Sequence, residues 1–384
     1  MTYQPLLSIV IPTKNRYEYL EILIKALLES QSQEFELIIQ DNSDNNNDFE
    51  RYLETINDSR LKYNYLQSYL SVIENCDLAV GTSTGKYVIM LGDDDGILIE
   101  KSIELVKYLS KNNADAAIVN WIDYAWPDTI HAVWGDGLSG KIIVPRFTYS
   151  YKWLNSQQEL KQVLHKGAAF GLGRLARIYH GIVKKEKLDA IKAETGTYFP
   201  GPSPDMANAV ALTKYIETYI YADFPTIISG HSKKSTGGQG GEKKHHGSIA
   251  AQAHLPKDTV SKWSPKIPFF WSGPTIYSES ARRSILATNR ESFLKINYAY
   301  LYACCFVFER AYTSEIIKAI NLESNPYKRI VTFIKIIYFC IIIFISRIFN
   351  FATNLIQLKF KSDEHLKAVS ISEAIKIMNT TLNK

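Results

Sequence analysis

The chain of 384 residues is poor in cysteine and carries little net charge. Its four cysteines, Cys76, Cys304, Cys305 and Cys340, are scattered and form no C-x-x-C pair. Neither a disulfide framework nor a zinc site is therefore indicated, and a reducing compartment is expected. The net charge of +5 does not by itself imply nucleic-acid binding, so we expect no nucleic-acid partner.

The first residues lack the features of a secretory signal peptide. Their apolar run, residues 6–11, has the length of a strand, and no basic stretch precedes it. We therefore expect a cytoplasmic protein. With 46% hydrophobic and 22% charged residues, the composition is that of an ordinary globular chain that can bury a core.

Short apolar runs alternate with amphipathic stretches over the first third of the chain. The apolar runs predict strands at 6–11, 35–40, 61–66, 86–91 and 116–121. The stretches between them have helical spacing, as in "NRYEYLEILIKALLES". This alternation predicts an α/β fold with a mainly parallel sheet flanked by helices, and a second α-rich stretch follows at roughly 279–325.

Polar clusters follow three of the predicted strands. "PTKN" follows the first strand, "DNSDN" the second and "GDDDG" the fourth. Parallel sheets bind ligands beyond the carboxyl ends of their strands. We therefore expect the three clusters to converge on one rim of the sheet and to form a binding site there.

These segments together carry a resemblance to a known family. "LLSIVIPTKNRYEYLEILIKALLESQSQEFELIIQDNSDN" and "TGKYVIMLGDDDGIL" resemble the N-terminal half of a family 2 glycosyltransferase of the bacterial surface-glycan type. The likeness is strong over residues 5–120 and weaker up to about 235. It implies the GT-A fold, a Rossmann-like domain that binds a nucleotide sugar, and an inverting transfer of a hexosyl or N-acetylhexosaminyl group.

The acidic run is the expected metal site. A hard cation such as Mg²⁺ or Mn²⁺ takes carboxylate oxygens and neutralises the charge of a departing nucleoside diphosphate. We expect Asp93 and Asp95 as metal ligands, Asp93 and Asp94 as donor contacts, and His231 as a further metal or pyrophosphate contact. Gly92 departs from the usual Asp-x-Asp-Asp pattern of the family, and a solvated acidic turn is the alternative.

The resemblance also implies a nucleotide pocket. Its members would be Pro12, Thr13, Asn15, Asp41 and Asn42. Asp41 accepts hydrogen bonds only, which suits an imide N–H such as that of uracil. A helix N-cap at Thr13 and an Asx turn over 41–44 are alternative roles that can hold at the same time.

Two arginines stay open between a ligand role and a structural one. Arg16 and Arg60 could assist with the phosphate or the base, or each could form a surface salt bridge.

An inverting transferase needs a general base for the acceptor hydroxyl. The resemblance favours Asp205 in "GPSPDMANAV", where a helix is predicted to start. The alternative role is that of an acid that stabilises the helix N-terminus. Asp223 and Glu194 are the other two candidates.

A Gly/Lys/His/Ser-rich segment over 229–248 predicts a loop. Lys233, Lys234 and Ser235 in this loop could close over the diphosphate. A flexible solvated loop without such a role is the alternative.

The segment 325–362 contains six Lys or Arg and no Asp or Glu. Its uninterrupted apolar core, residues 336–345, is shorter than the roughly 20 residues that cross a bilayer. We expect a helix that lies on an anionic membrane surface. Burial in a helical core and a true membrane span are the alternatives.

The sequence thus predicts three parts: a GT-A catalytic domain (1–235), a loop and α-rich region (236–325), and a membrane-associating helix and tail (326–384). We expect a metal-dependent inverting glycosyltransferase at the inner face of the cell membrane. It would use a nucleotide-diphosphate sugar, with UDP the expected nucleotide, and a lipid-linked or surface-glycan acceptor. A non-catalytic nucleotide-sugar-binding or scaffold protein is the alternative. A nucleotidyltransferase lacks support because no Gly-rich phosphate loop follows the first strand.

Overall fold

A mixed α/β arrangement is found in the computed structural model, which describes residues 4–130, 137–235, 246–360 and 366–382, without the side chains of 350–360. The strands of the described residues are β1 (Leu7–Thr13), β2 (Phe35–Asp41), β3 (Leu61–Tyr65), β4 (Tyr87–Met90), β5 (Gly96–Ile97), β6 (Ala116–Ala125), β7 (Lys141–Ile143), β8 (Tyr151–Asn155), β9 (Gly181–Lys184), β10 (Thr218–His231), β11 (His246–Gly247), β12 (Trp271–Ser272) and β13 (Leu366–Lys367).

The helices of the described residues follow the same chain order. They are α1 (Tyr17–Leu28), α2 (Asn47–Leu53), α3 (Val72–Gly81), α4 (Ile99–Lys111), α5 (Ser156–His165), α6 (Lys185–Thr195), α7 (Pro204–Tyr215), α8 (Gly273–Ala287), α9 (Tyr298–Phe308), α10 (Thr313–Asn321), α11 (Pro326–Phe360) and α12 (Ile371–Leu382). Short 3-10 helices lie at Ile249–Ala251, Glu291–Phe293 and Arg310–Tyr312.

The central sheet has the strand order β13-β7-β6-β9-β4-β1-β2-β3, with β10 paired to β5, β6 and β8. β1 pairs in parallel with both β2 and β4, so the carboxyl ends of these three strands meet at one rim. The predicted strands and the α/β fold class are confirmed. The sheet is more mixed than predicted because β9 inserts antiparallel between β4 and β6, and residues 122–200 gave no signal for it.

Burial on both faces explains the strongest strand signals. β2 is buried along its whole length, and β1 along nearly all of it. Strands covered by helices on both faces read as continuous apolar runs rather than as alternating ones. On one face, α1 buries Leu20, Leu23 and Leu27 against the sheet.

Helix α3 begins with a capping box that fixes one wall of the site. The Ser71 hydroxyl accepts from the Glu74 backbone N–H, and the Glu74 carboxylate accepts from the Ser71 N–H at 2.7 Å. Two orphan donors at the helix start are satisfied in this way. The cap orients the first turns of α3, and Asn75 and Cys76 of those turns line the cleft described below.

The end of the described chain returns to the N-terminal sheet. β13 pairs antiparallel with β7, and α12 packs its Ile371 and Met378 into the core that also contains α1. Lys376 of α12 forms a salt bridge with Glu29 at 2.9 Å. The division at 235 and 325 stays a prediction, but residues 366–382 belong structurally with the sheet and not with the apolar helix that precedes them.

Helix α11 packs along one side only. Its Ile336 and Ile343 are buried in a cluster with Ala303 and Cys304 of α9. Most of its remaining large apolar side chains are exposed, including Ile334 and Ile337 at 62% each.

Replacing Ile371 by alanine should lower the free energy of unfolding by about 3 kcal/mol, because it empties buried volume under the sheet. Denaturant titration of the purified protein measures this change. The matched control is Val369→Ala, a side chain that is 77% exposed, for which a change within about 0.5 kcal/mol is expected. Equal effects of the two variants would mean that the tail does not support the core.

Candidate active site

The three consecutive aspartates occupy the turn between β4 and β5. Asp93, Asp94 and Asp95 are exposed by only 2%, 3% and 1%. A solvated acidic turn, the alternative reading, is therefore wrong. Carboxylates buried this deeply need partners that offset their lost hydration.

Arg16 forms salt bridges with the first two aspartates. It stands immediately before α1, and its two terminal nitrogens lie 2.9 Å from Asp93 Oδ1 and 2.9 Å from Asp94 Oδ1. The Thr13 hydroxyl also donates to Asp93 Oδ2 at 2.7 Å, and the Ser232 N–H donates to Asp94 Oδ2 at 3.0 Å. Arg16 is therefore tied to the acidic turn, and the surface salt bridge considered as its alternative role is wrong.

Burial dominates the protonation of these two groups. It raises the pKa of Asp93 to about 7, although the charge of Arg16 acts in the opposite direction. Burial also raises the pKa of Asp94, again against Arg16. Arg16 therefore offsets only part of the negative charge of the two carboxylates. A further positive charge nearby would stabilise their ionised forms.

Asp95 is held differently from its two neighbours. Its carboxylate accepts from Gly92 N–H (2.7 Å), Gly230 N–H (2.8 Å) and Tyr179 O–H (3.0 Å), and it pairs with His180 Nε2 at 2.7 Å. Burial alone would raise the pKa of Asp95, but His180 and these donors outweigh it and hold the pKa below its usual value.

The role of Asp95 therefore departs from its expected use as a metal ligand. Its four hydrogen bonds take up most of its acceptor capacity. Asp93 Oδ1, in contrast, is buried and accepts no hydrogen bond; it forms a salt bridge with Arg16 at 2.9 Å.

β10 closes tightly over the acidic turn. A Cβ atom on Gly230 would lie 1.8 Å from the Asp94 carbonyl oxygen, so only glycine permits this approach. Sequence reasoning missed Gly230, Tyr179 and His180. Residues 122–200 carry no regular pattern, and nothing in the local sequence marks His180, which adopts a left-handed φ of 57°.

The rim opens into two adjoining cavities. The first, of about 440 Å³, is lined by Pro12, Thr13, Asn42 and Asp93 among others. The second, of about 670 Å³, contains Asp94. Both linings include Pro12, Arg16, Val72, Cys76 and His254, so the cavities form one cleft at the carboxyl ends of β1, β2 and β4.

Two predicted nucleotide contacts lie outside both linings. The Asn15 N–H donates to Ser43 Oγ at 2.7 Å. Asp41 is fully buried and accepts from the hydroxyls of Tyr17 (2.6 Å) and Tyr63 (2.8 Å). It also accepts from the Ser43 N–H at 2.8 Å, which confirms the Asx turn.

The expected cap at Thr13 is wrong. Thr13 ends β1, and Arg16 is the N-cap position of α1, where no side chain caps the helix. Arg60 is also structural: it pairs with Asp58 and donates to the carbonyls of Leu28, Ser30 and Ser32.

Asp205 lies in the first turn of α7, on the wall of the second cavity. Burial raises the pKa of Asp205 to about 6, although the nearby His180 and Arg177 act in the opposite direction. A carboxylate with this pKa can accept a proton near neutral pH.

The other two base candidates lie outside the linings of both cavities. Asp223 accepts from Thr148 and Asn120, and Glu194 pairs with Lys214 at 2.5 Å.

His231 lines the second cavity but faces Asp123, with Nε2 at 3.2 Å from Oδ1. This hydrogen bond raises the pKa of His231. Within the described ranges, no group of three or more His, Cys, Asp or Glu is arranged to hold a metal ion. The expected set of Asp93, Asp95 and His231 is therefore not assembled.

The predicted loop 229–248 is too long at both ends, because β10 extends to His231 and β11 occupies His246–Gly247. Lys234 pairs with Glu18, the Lys233 N–H contacts Asp128, and Ser235 lines the second cavity. Residues 236–245 lie outside the described residues.

Comparisons with known proteins agree with the fold. Residues 8–138 match the family described as Glycosyl transferase family 2. No curated protein matches the chain. A crystal structure of S. aureus TarS 1-349 in complex with UDP-GlcNAc is similar at 13% identity over 82% of this chain and 78% of that one, with a TM-score of 0.50.

Two further solved structures are less similar. A longer S. aureus TarS structure aligns with a TM-score of 0.41 and 14% identity over 59% of this chain, which spans 37% of its length. The mannosyltransferase PcManGT from Pyrobaculum calidifontis, in complex with GDP-Man and Mn²⁺, aligns at 14% identity over 87% of this chain and 85% of that one, with a TM-score of 0.43. Residues 8–138 therefore match glycosyltransferase family 2, and the likeness to the TarS structure supports the GT-A fold for the α/β sheet that these residues build.

Proposed function

We propose that this protein is a metal-dependent inverting glycosyltransferase. It moves a sugar from a nucleotide-diphosphate donor, UDP-linked, to a hydroxyl of a lipid-linked or surface-polysaccharide acceptor. The observation that carries the proposal is the position of Asp205, which lines the same cavity as Asp94 and whose pKa burial raises to about 6.

The first cavity suits the donor nucleotide. Pro12, Thr13 and Asn42 line it at the ends of β1 and β2, next to Asp93. A volume of about 440 Å³ falls in the range of small-molecule sites. The TarS structure with UDP-GlcNAc supports the choice of UDP.

Asp93 and Asp94 fit a divalent cation. Both offer hard carboxylate oxygens, and Asp93 Oδ1 is buried without a hydrogen bond. Arg16 would then exchange part of its contact with the two aspartates for the donor phosphates, since it lines both cavities. A bound Mg²⁺ or Mn²⁺ neutralises the charge that develops on the departing diphosphate.

Asp205 acts on the acceptor side. It accepts the proton of the acceptor hydroxyl as that oxygen forms its bond to the anomeric carbon. The bond between that carbon and the diphosphate oxygen breaks in the same displacement, which inverts the anomeric configuration. In this proposal Arg16 would lie next to the leaving group and Asp205 next to the incoming hydroxyl.

Helix α11 would attach the enzyme to the membrane. Its segment Pro326–Phe349 is, among the described residues, the one helix long and apolar enough to cross a bilayer. The uninterrupted apolar core of residues 336–345 is therefore shorter than the apolar helical segment that the structure contains. Its exposed isoleucines, Ile334, Ile337 and Ile341, lie on the side away from α9.

Chain connectivity favours a helix that lies in the plane of the membrane. A helix of 35 residues is roughly 52 Å long. Between its end at Phe360 and the start of β13 at Leu366, the chain can reach at most about 20 Å. Both ends of α11 are thus tied to one protein body, whereas a span would carry one end across about 30 Å of hydrocarbon.

Replacing Asp205 by asparagine should reduce transfer about a thousandfold while donor binding persists, because the base is lost. Release of nucleoside diphosphate and calorimetric donor titration measure the two effects. The matched control is Glu186→Gln on the exposed surface of α6.

The wild-type enzyme gives an independent check on the base. Its kcat/KM should fall as the pH drops through about 6, since Asp205 must be ionised to accept a proton. Full turnover by Asp205→Asn would exclude the base role. A wild-type protein that binds a UDP-sugar but never releases UDP would instead favour the scaffold alternative.

Asp93 and Asp95 should respond differently to conversion into asparagine. The Asp93→Asn variant should no longer be activated by Mn²⁺, because it lacks one of the two proposed metal ligands. It should keep its fold, because the change removes a buried negative charge that Arg16 offsets only in part. Asp95→Asn should lower the free energy of unfolding by about 3 kcal/mol, because an amide cannot accept all four hydrogen bonds. Metal titration and denaturant unfolding are the measurements. A fully stable Asp95→Asn that fails only in metal binding would reverse the two roles.

Serine at Ile334, Ile337 and Ile341 together should move the protein from the membrane fraction to the supernatant. Each replacement removes roughly 1.5–3 kcal/mol of apolar burial in lipid. Sedimentation with lipid vesicles measures the distribution. The control variant carries serine at the exposed Ile130, Val260 and Val369. Equal release of both variants would contradict a specific role of α11.

A further inference from the structure

We propose that a third cavity, remote from the cleft, binds one anionic phospholipid. It has a volume of about 880 Å³ and lies between α5, residues 292–297 and α11. None of its lining residues lines either cavity of the cleft. We call it the lysine-rimmed cavity, after Lys161, Lys295 and Lys335 in its lining.

Apolar side chains form the interior of this cavity. Leu160 and Leu164 of α5 are almost fully buried, at 1% and 4% exposure, and Phe293 and Phe339 complete the walls. Polar side chains such as Gln157, Ser292 and Asn297 also belong to the lining, but apolar surface predominates in it. It favours an acyl chain, whose transfer from water is driven by apolar burial.

The rim carries uncompensated positive charge. The side chains of Lys161, Lys295 and Lys335 are exposed, and none forms a salt bridge within the part of the chain that the structure describes. Three lysines from three separate segments therefore line one mainly apolar cavity. A phosphate group that carries an acyl chain satisfies both features, because lysine binds phosphate as a point charge.

The cavity is continuous with the surface proposed to face the membrane. Lys335 and Tyr338 belong to α11, next to the exposed Ile334, Ile337 and Ile341. A lipid of the adjacent leaflet can therefore insert a chain without crossing water. The inference rests on the proposed membrane placement of α11 and does not depend on the chemistry of the cleft.

Native mass spectrometry of the detergent-purified full chain tests the site, with phosphatidylglycerol as the probe. The wild type should retain one phosphatidylglycerol and no phosphatidylcholine. Glutamine at Lys161, Lys295 and Lys335 should weaken retention about a hundredfold, since each lysine near an anionic lipid is worth close to a factor of five. Glutamine at the exposed, unpaired Lys25, Lys111 and Lys152 is the charge-matched control and should retain the lipid.

Three results would overturn the proposal. They are equal retention by both lysine variants, equal retention of phosphatidylcholine, and displacement of the lipid by millimolar inorganic phosphate, which would show that the headgroup charge alone is bound. Vesicle sedimentation of the wild type and donor hydrolysis by the triple glutamine variant are measured in parallel. They separate a failure of this site from a failure of the membrane placement or of the transferase activity.

Discussion

The contact of one arginine with two buried aspartates organises the site. Arg16 joins the end of β1 and the start of α1 to the turn after β4, and its NH2 group also donates to Ser232 Oγ at 3.0 Å. Removing one partner of a buried ion pair leaves an uncompensated charge, which costs several kcal/mol. The position of three segments distant in the sequence therefore depends on this one side chain.

Asp95 extends the same principle to the second cavity of the cleft, whose lining contains Tyr179, His180 and Gly230. Through His180 and Tyr179 it links the acidic turn to the segment that precedes β9, and through Gly230 to β10. The two halves of the cleft are thus connected by carboxylates that are adjacent in the chain. Gly92 belongs to the same constraint: a Cβ there would lie 3.0 Å from Asp95 Oδ2, so an aspartate at this position would force the neighbouring carboxylates to shift.

Local pattern was sufficient for the first third of the fold and for part of the site. The sequence was sufficient to predict β1, β2, β4 and α1. Strands buried on both faces appear as continuous apolar runs, and a helix buried on one side appears as an apolar stripe. The rule that strand ends share a rim brought Thr13 and Asp93 together correctly. Nothing comparable marks His180 or Gly230, whose roles arise from contacts with residues 85 and 135 positions away.

The position of α12 also depends on contacts with residues far away in the sequence, and this has a consequence for synthesis. α12 fills a groove against α1, yet about 340 residues separate Leu28 from Ile371. At roughly 5–20 residues per second, a ribosome needs on the order of 20–70 s to make that stretch. During this time α1 has left the ribosome while part of its apolar surface has no cover. The exposed apolar surface of α1 must therefore be kept from aggregation during synthesis. The core that contains α1 is completed only when α12 has been made and packs against it.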